Sequence, residues 1–241
     1  MRITHLVAGV VATVTVAALA AAQEAKPKTE FTGNLGFLSA SGNTQITTLS
    51  VGEKVTHTSG RWVLSQFASY VHGETNGKES ANQLRFGARA DMDWTPRTGG
   101  FVGASFERDA FAGFTGRTDE VIGALWRALV EKKDTLRLEG GGVLTQQKNV
   151  DGAEENFPSA RLGVNYRHAF TKTAYFEQLG EYIPNLKTSG AYRVNTESAL
   201  VAPISGHIAI KVGYVIRYDS RPPEKFGTTD RVLTTGIQLS W

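Results

Sequence analysis

Four histidines beyond position 22, His57, His72, His168 and His207, are the residues from which a hydrolytic site would have to be built. Such a site needs a His beside a Ser with an orienting Asp or Asn, or an Asp–His pair at a rim. His72, two residues before Glu74, comes nearest, and no Ser or Asp stands beside it. The spacing His-x-x-x-His is absent, and so is cysteine, so neither an imidazole pair nor thiolates suggest a metal and no disulfides form. The triple glycine at 140–142 lies inside an alternating segment, where small residues allow curvature or leave room, and does not read as a phosphate cradle. The chain therefore reads as non-enzymatic, with no catalytic, cofactor-binding or metal-ligating residues and no cofactor.

A second constellation is more informative. Arg85, Arg89, Asp91, Asp93, Arg137, Glu139, Arg161, Arg167, Lys211 and Arg217 all fall at positions alternating with large apolar residues. On strands, one such face would be wet and charged, the other oily. If the wet face lines a lumen, two readings compete. The charges neutralise one another and fill the interior, as in small barrels. Or the excess of arginine gives a narrow pore a positive field that favours anions.

The elements that must position these residues are strands. Leu84, Phe86, Ala88, Ala90, Met92 and Trp94 oppose Arg85, Gly87, Arg89, Asp91 and Asp93. Leu162, Val164, Tyr166 and Phe170 oppose Arg161, Gly163, Asn165 and Arg167, and Ile208, Ile210, Val212, Tyr214, Ile216 and Tyr218 oppose Lys211, Gly213 and Arg217. A helix would need spacings of three and four. About twelve such segments follow one another from residue 30, near 30–39, 45–57, 61–73, 80–95, 101–109, 118–131, 134–147, 157–170, 173–184, 191–202, 206–219 and 230–241. Short connections (59–60, 96–100, 132–133, 171–173, 204–206) alternate with longer polar ones (73–79, 110–117, 148–156, 185–190, 220–229). That alternation is the mark of an outer-membrane barrel with periplasmic turns and extracellular loops. Trp62, Tyr70, Trp94, Phe101, Phe170, Tyr175, Tyr182 and Trp241 are expected in its interfacial girdles. A soluble sandwich or lipocalin-like barrel would show the same alternation with its apolar face inside. The number of strands and the aromatics near strand ends favour the membrane.

Residues 1–22 read as a secretory signal, with Arg2, an apolar run from Leu6 to Leu19 and the small residues Ala20, Ala21 and Ala22. A polar leader, 23–29, precedes the barrel, 30–241. Removing the signal lowers the formal charge from +3 only by Arg2, too little for a nucleic-acid footprint. A mean hydropathy of −0.22 suits a barrel, half of whose strand residues face water.

Three stretches, GFLSASGNTQITTLSVGEKVTH (36–57), FERDAFAGFTGRTDEVIGALW (106–126) and YDSRPPEKFGTTDRVLTTGIQL (218–239), resemble the YdiY-like family, described as salt-induced outer-membrane proteins and otherwise a domain of unknown function. The resemblance covers nearly the whole chain after the signal. It implies an outer-membrane barrel with a role in envelope integrity or salt response, and it carries over no functional residues. Physically, Ser41-Gly42-Asn43-Thr44 is a tight turn. Arg108-Asp109, Arg117-Asp119, Asp219-Arg221 and Asp230-Arg231 are expected to pair along one rim. The last segment alternates Leu233, Thr235, Ile237, Leu239 and Trp241 with small or polar residues, so Trp241 is expected to serve as the signal offered to the barrel-assembly machinery. The remaining partners are outer-membrane lipid and lipopolysaccharide, with no nucleic acid.

Overall fold

A computed structural model describes residues 27–40 and 46–240. The signal segment, the Ser41–Thr44 turn and Trp241 lie outside the described residues. Twelve antiparallel strands make the ring: β1 Lys28–Ala40, β2 Ile46–Ser59, β3 Trp62–Thr75, β4 Lys78–Asp93, β5 Thr98–Asp109, β6 Phe114–Val130, β7 Asp134–Asn149, β8 Glu154–Ala169, β9 Tyr175–Pro184, β10 Tyr192–Pro203, β11 Ile208–Asp219 and β12 Thr229–Ser240. Each pairs with its sequence neighbour, and β1 pairs with β12, so no edge is left open. Closure lets every strand find both partners without water, the condition a sheet must meet in lipid.

The seam shows how sequence permits closure. Gly36 of β1 lies opposite Gly236 of β12. A Cβ on Gly236 would stand 2.1 Å from the Leu35 carbonyl oxygen. Only glycine allows the two backbones to approach so closely.

The apolar parity faces outward. Ile122, Leu162 and Leu233 are 64, 61 and 65 % exposed, as lipid-facing side chains must be when lipid is not counted. Trp62, Trp94, Trp126 and Phe170, all more than a third exposed, stand on the side of the short turns, and Tyr70 and Tyr182 stand toward the loops. Two residues expected in these girdles point the other way. Phe101 is 3 % exposed and lies inside, because its parity is that of Gly103, Ser105 and Glu107. Tyr175 also turns inward, where Arg167 lies 3.6 Å from its ring centroid.

Strands run further than the alternation suggested. The expected loop 73–79 is a two-residue hairpin at Asn76-Gly77, both with positive φ (52° and 70°). Asn-Gly is the preferred pair for that turn, because its twist matches the flanking strands. Likewise β6 begins at Phe114 and β7 runs to Asn149, so the ladder extends beyond the apolar belt.

Candidate functional site

The ten charged residues singled out by parity all face the interior, and all but Arg167, which stacks on Tyr175, fall into ion-pair clusters. The central one is built on Glu139 of β7. Its carboxylate accepts hydrogen bonds from Arg89 Nη2 at 2.8 Å, Arg89 Nη1 at 3.0 Å and Arg161 Nη1 at 2.7 Å, with Arg137 Nε 3.1 Å away. Arg89 also reaches Asp91 at 2.5 Å, and Arg161 Nε donates to Glu181 at 2.9 Å. The Arg89 guanidinium lies 3.9 Å from the Phe101 ring centroid. That ring in turn lies over Gly123, where an added Cβ would come within 2.6 Å of it. A small residue on β6 thus makes room for an aromatic from β5, and the aromatic supports the arginine from β4.

Toward the loops, Glu107 of β5 gathers three cations. It accepts from Arg117 Nη2 at 2.8 Å and Arg217 Nη1 at 2.7 Å, and Arg85 Nε lies at 3.7 Å. Gln83 Nε2 donates to it at 2.8 Å and to Asp109 at 2.9 Å. Beside this group, Arg193 of β10 makes a two-pronged bond to Asp119 of β6, both prongs 3.1 Å, and donates to Thr145 of β7 at 3.0 Å. Toward the turns, Arg127 pairs with Asp93 at 2.7 Å and Lys211 with Glu197 at 3.2 Å.

Two of these contacts cross the barrel. In a ring of twelve, β5 and β11 are opposite, so Glu107–Arg217 spans the interior along a diameter. Arg193–Asp119 crosses four strands away. Hollows remain around them: about 220 Å³ beside Arg89, Glu181 and Arg217, and about 370 Å³ at the mouth on the turn side, near Arg167 and Tyr175.

The charge balance differs from that expected. Glu107, Asp119, Glu181 and Glu197 also face inward and offset the arginines, along with Arg117, Arg127 and Arg193 of the opposite sign. Their parity was readable: Glu107 and Asp109 share that of Gly103 and Ser105, and Asp119 that of Arg117. The rim pairs expected between sequence neighbours do not form as such. Arg108 pairs with outward Leu84 in register while Asp109 turns inward, because adjacent strand residues take opposite faces. Arg231 and Asp230 separate in the same way. Arg117 and Asp119 share a face, but their ion pairs are with Glu107 and Arg193.

The histidines stay outside these networks. His72 has Glu74 and Glu79 at 3.4 Å, and His168 Nδ1 stands 2.8 Å from Asp134, which also accepts from Tyr166 at 2.7 Å. His57 meets Thr29 Oγ1 at 2.9 Å. Among the described residues no cluster of three His, Asp or Glu is placed to hold a metal ion.

Fold and interior together define a closed transmembrane β-barrel with an ion-paired lumen. The chain belongs to the family described as "Protein of unknown function, DUF481", whose model matches residues 33–241. It is 28 % identical over 221 residues to the uncharacterized protein YdiY of Escherichia coli (strain K12), covering 90 % of this chain and 85 % of that one. Among solved structures, the KdgM porin is 14 % identical with a TM-score of 0.48, covering 89 % of this chain and 99 % of that one. The translocator domain of the autotransporter NalP from Neisseria meningitidis is 13 % identical with a TM-score of 0.48, covering 88 % and 87 %. An outer-membrane channel from Pseudomonas putida F1 is 11 % identical with a TM-score of 0.49, covering 93 % and 97 %. At such identities and scores, nothing of those proteins' activities transfers.

Proposed function

We propose that the chain is a non-enzymatic barrel of the bacterial outer membrane that limits envelope permeability, with a lumen held shut by ion pairs that respond to salt. The observation that carries this reading is the bond from Arg217 to Glu107, which joins opposite walls at 2.7 Å. Export by residues 1–22, with cleavage of the signal, and loops turned to the outside complete the picture. The outward apolar belt and its aromatic borders support a seat in outer-membrane lipid, with lipopolysaccharide around the loop side.

Ion pairs reached by water weaken as ionic strength rises. Arg217 and Arg85, with side chains 22 and 34 % exposed, keep water at the otherwise buried Glu107, so salt acts on this pair, though less than on a surface one. A lumen closed by such pairs therefore opens more often in concentrated salt, a direct route to an osmotic or salt response. Once open, it passes anions in preference, because Arg85, Arg117 and Arg217 converge on Glu107 at the constriction.

Planar-bilayer recording of the purified protein tests this. The parent should be quiet at low salt and show brief, anion-selective openings as salt rises. Arg217→Ala should conduct steadily at low salt, while Glu107 keeps Arg85 and Arg117 as partners and the fold survives. Steady conductance from the parent at low salt, unchanged in Arg217→Ala, would falsify the reading.

A further inference from the structure

The loop rim holds a feature that the gate does not use. Under the loops 185–191 and 220–228 lies a cavity of about 250 Å³, floored by Phe157, Ser159 and Ile183 and roofed by Arg221, Pro222 and Pro223. The roof is tied down. Tyr192 N–H donates to Ser220 Oγ at 2.8 Å, Ser220 N–H donates to the Tyr192 carbonyl at 3.0 Å, and Leu186 N–H donates to the Pro158 carbonyl at 2.9 Å. Two consecutive prolines stiffen what remains. The space is preformed, with no need for a loop to order on binding.

What lines it is unfinished. Ser159 is 2 % exposed, and its hydroxyl has no hydrogen-bond partner. A buried hydroxyl left unpaired costs free energy, so it calls for a ligand or water. The Arg221 guanidinium forms no ion pair among the described residues; only its backbone N–H is bonded, to Asp219 Oδ1 at 2.9 Å. Asp219 accepts that N–H and forms no ion pair within 4 Å, although Arg117 acts on it through space and Arg193 stands opposite it in register, and Glu155 accepts only from the Asn149 amide, at 3.1 Å. Elsewhere inside this barrel, most of the arginines find a carboxylate, one of them on the opposite wall. Here Arg193, already bound to Asp119, lines the same small hollow, while Arg221, Glu155 and Asp219 border it with no ion pair among them.

We propose that this cavity binds a small zwitterion of amino-acid size, its carboxylate against Arg221 and its ammonium between Glu155 and Asp219, with Ser159 completing the polar contacts. A simple anion would leave both carboxylates unmatched, and a simple cation would leave the guanidinium so. A ligand carrying both charges satisfies each sign at once and removes no net charge from solvent. The cavity opens on the loop side of the lumen, so the inference rests on the permeability reading only for the path by which such a solute would continue inward.

The test uses the full barrel purified in detergent micelles at low salt. Calorimetric titration with ω-amino acids from glycine to 5-aminovalerate scans the separation of the two charges, and propionate and ethylamine are the single-charge controls. One member of the series should bind saturably, at least tenfold more tightly than either control. Arg221→Gln, on an exposed loop, and Ser159→Ala, which deletes one unpaired oxygen, should each weaken it tenfold or more while the barrel's melting temperature without ligand does not fall. The proposal is overturned by no saturable heat across the series, by propionate binding as well as the zwitterions, or by Arg221→Gln binding unchanged. Conductance of Arg217→Ala does not involve these residues, so the failure of one reading is visible apart from the other.

Discussion

At the scale of single residues, the inner and outer faces obey opposite rules. Inside, a carboxylate is held because several guanidiniums surround it. Glu139→Ala would leave Arg89 and Arg137 sharing Asp91 and Arg161 only Glu181, three cations on two carboxylates, at a cost of up to about 3–5 kcal/mol, the penalty for stranding buried charge. Urea titration in lipid vesicles should show that loss. A cost below about 1 kcal/mol would mean that water fills the gap. Outside, two carboxylates break the pattern. Glu53 pairs in register with outward Ala68, and Glu120 with outward Ala104, so both face lipid, and neither has a partner among the described residues. An acid on the lipid face destabilises a barrel, less than a base does. Glu53→Leu and Glu120→Leu should each stabilise by on the order of 1 kcal/mol in the same titration. A loss of stability instead would reveal a membrane-embedded partner for that carboxylate.

At the scale of the strand, facing decides what a substitution does. Val212 lies on the lipid side of β11 between Leu200 and Thr235, and Gly213 is its neighbour on the lumen side. Arg at Val212 should cost about 2–4 kcal/mol, the range for a base at mid-membrane. Arg at Gly213 should cost less, since its Cβ would crowd a single atom, the Thr234 hydroxyl, at 2.8 Å, and otherwise meet Lys211 Cε at an ordinary 3.8 Å. Equal costs would mean that the lumen has no room at this level. Strands were also where the sequence was most readable. The parity of β4, β8 and β11 follows directly from alternation, because each side chain has one choice of face. The boundaries were less legible: Asn76-Gly77 is a strong hairpin signal, but the polar residues around it resemble a loop until the paired strand supplies their hydrogen bonds.

At the scale of the whole molecule, two arginines cross the interior in the half nearest the loops, Arg193 to Asp119 and Arg217 to Glu107. They restrict the same cross-section, so their effects on passage should not add. Arg193→Ala alone should change conductance little, because the diametral bond remains. Arg193→Ala combined with Arg217→Ala should conduct several-fold more than Arg217→Ala alone. Additive single-channel currents would show instead that two separate paths run past the two pairs.

Alternation by itself determined that this chain is built of about twelve strands and how the residues of most strands divide between two faces, because period two is a property of the backbone and needs no partner; the strand number and the aromatics near strand ends pointed to a membrane barrel. It also placed Arg85, Arg89, Glu139, Arg161 and Arg217 together on the wet side. What only the tertiary structure decided was who meets whom. Phe101 reads as an interfacial aromatic until Gly123 opposite makes room for it inside. The expected basic excess shrinks once Glu107, Asp119, Glu181 and Glu197 are seen to face the same space, although Arg117, Arg127 and Arg193 face it too. Glu107 and Arg217 are 110 positions apart, and their meeting follows from the strand count that sets them on opposite walls and from side chains long enough to span the gap. Contacts across a lumen depend on barrel geometry, and a linear pattern of residues does not carry it.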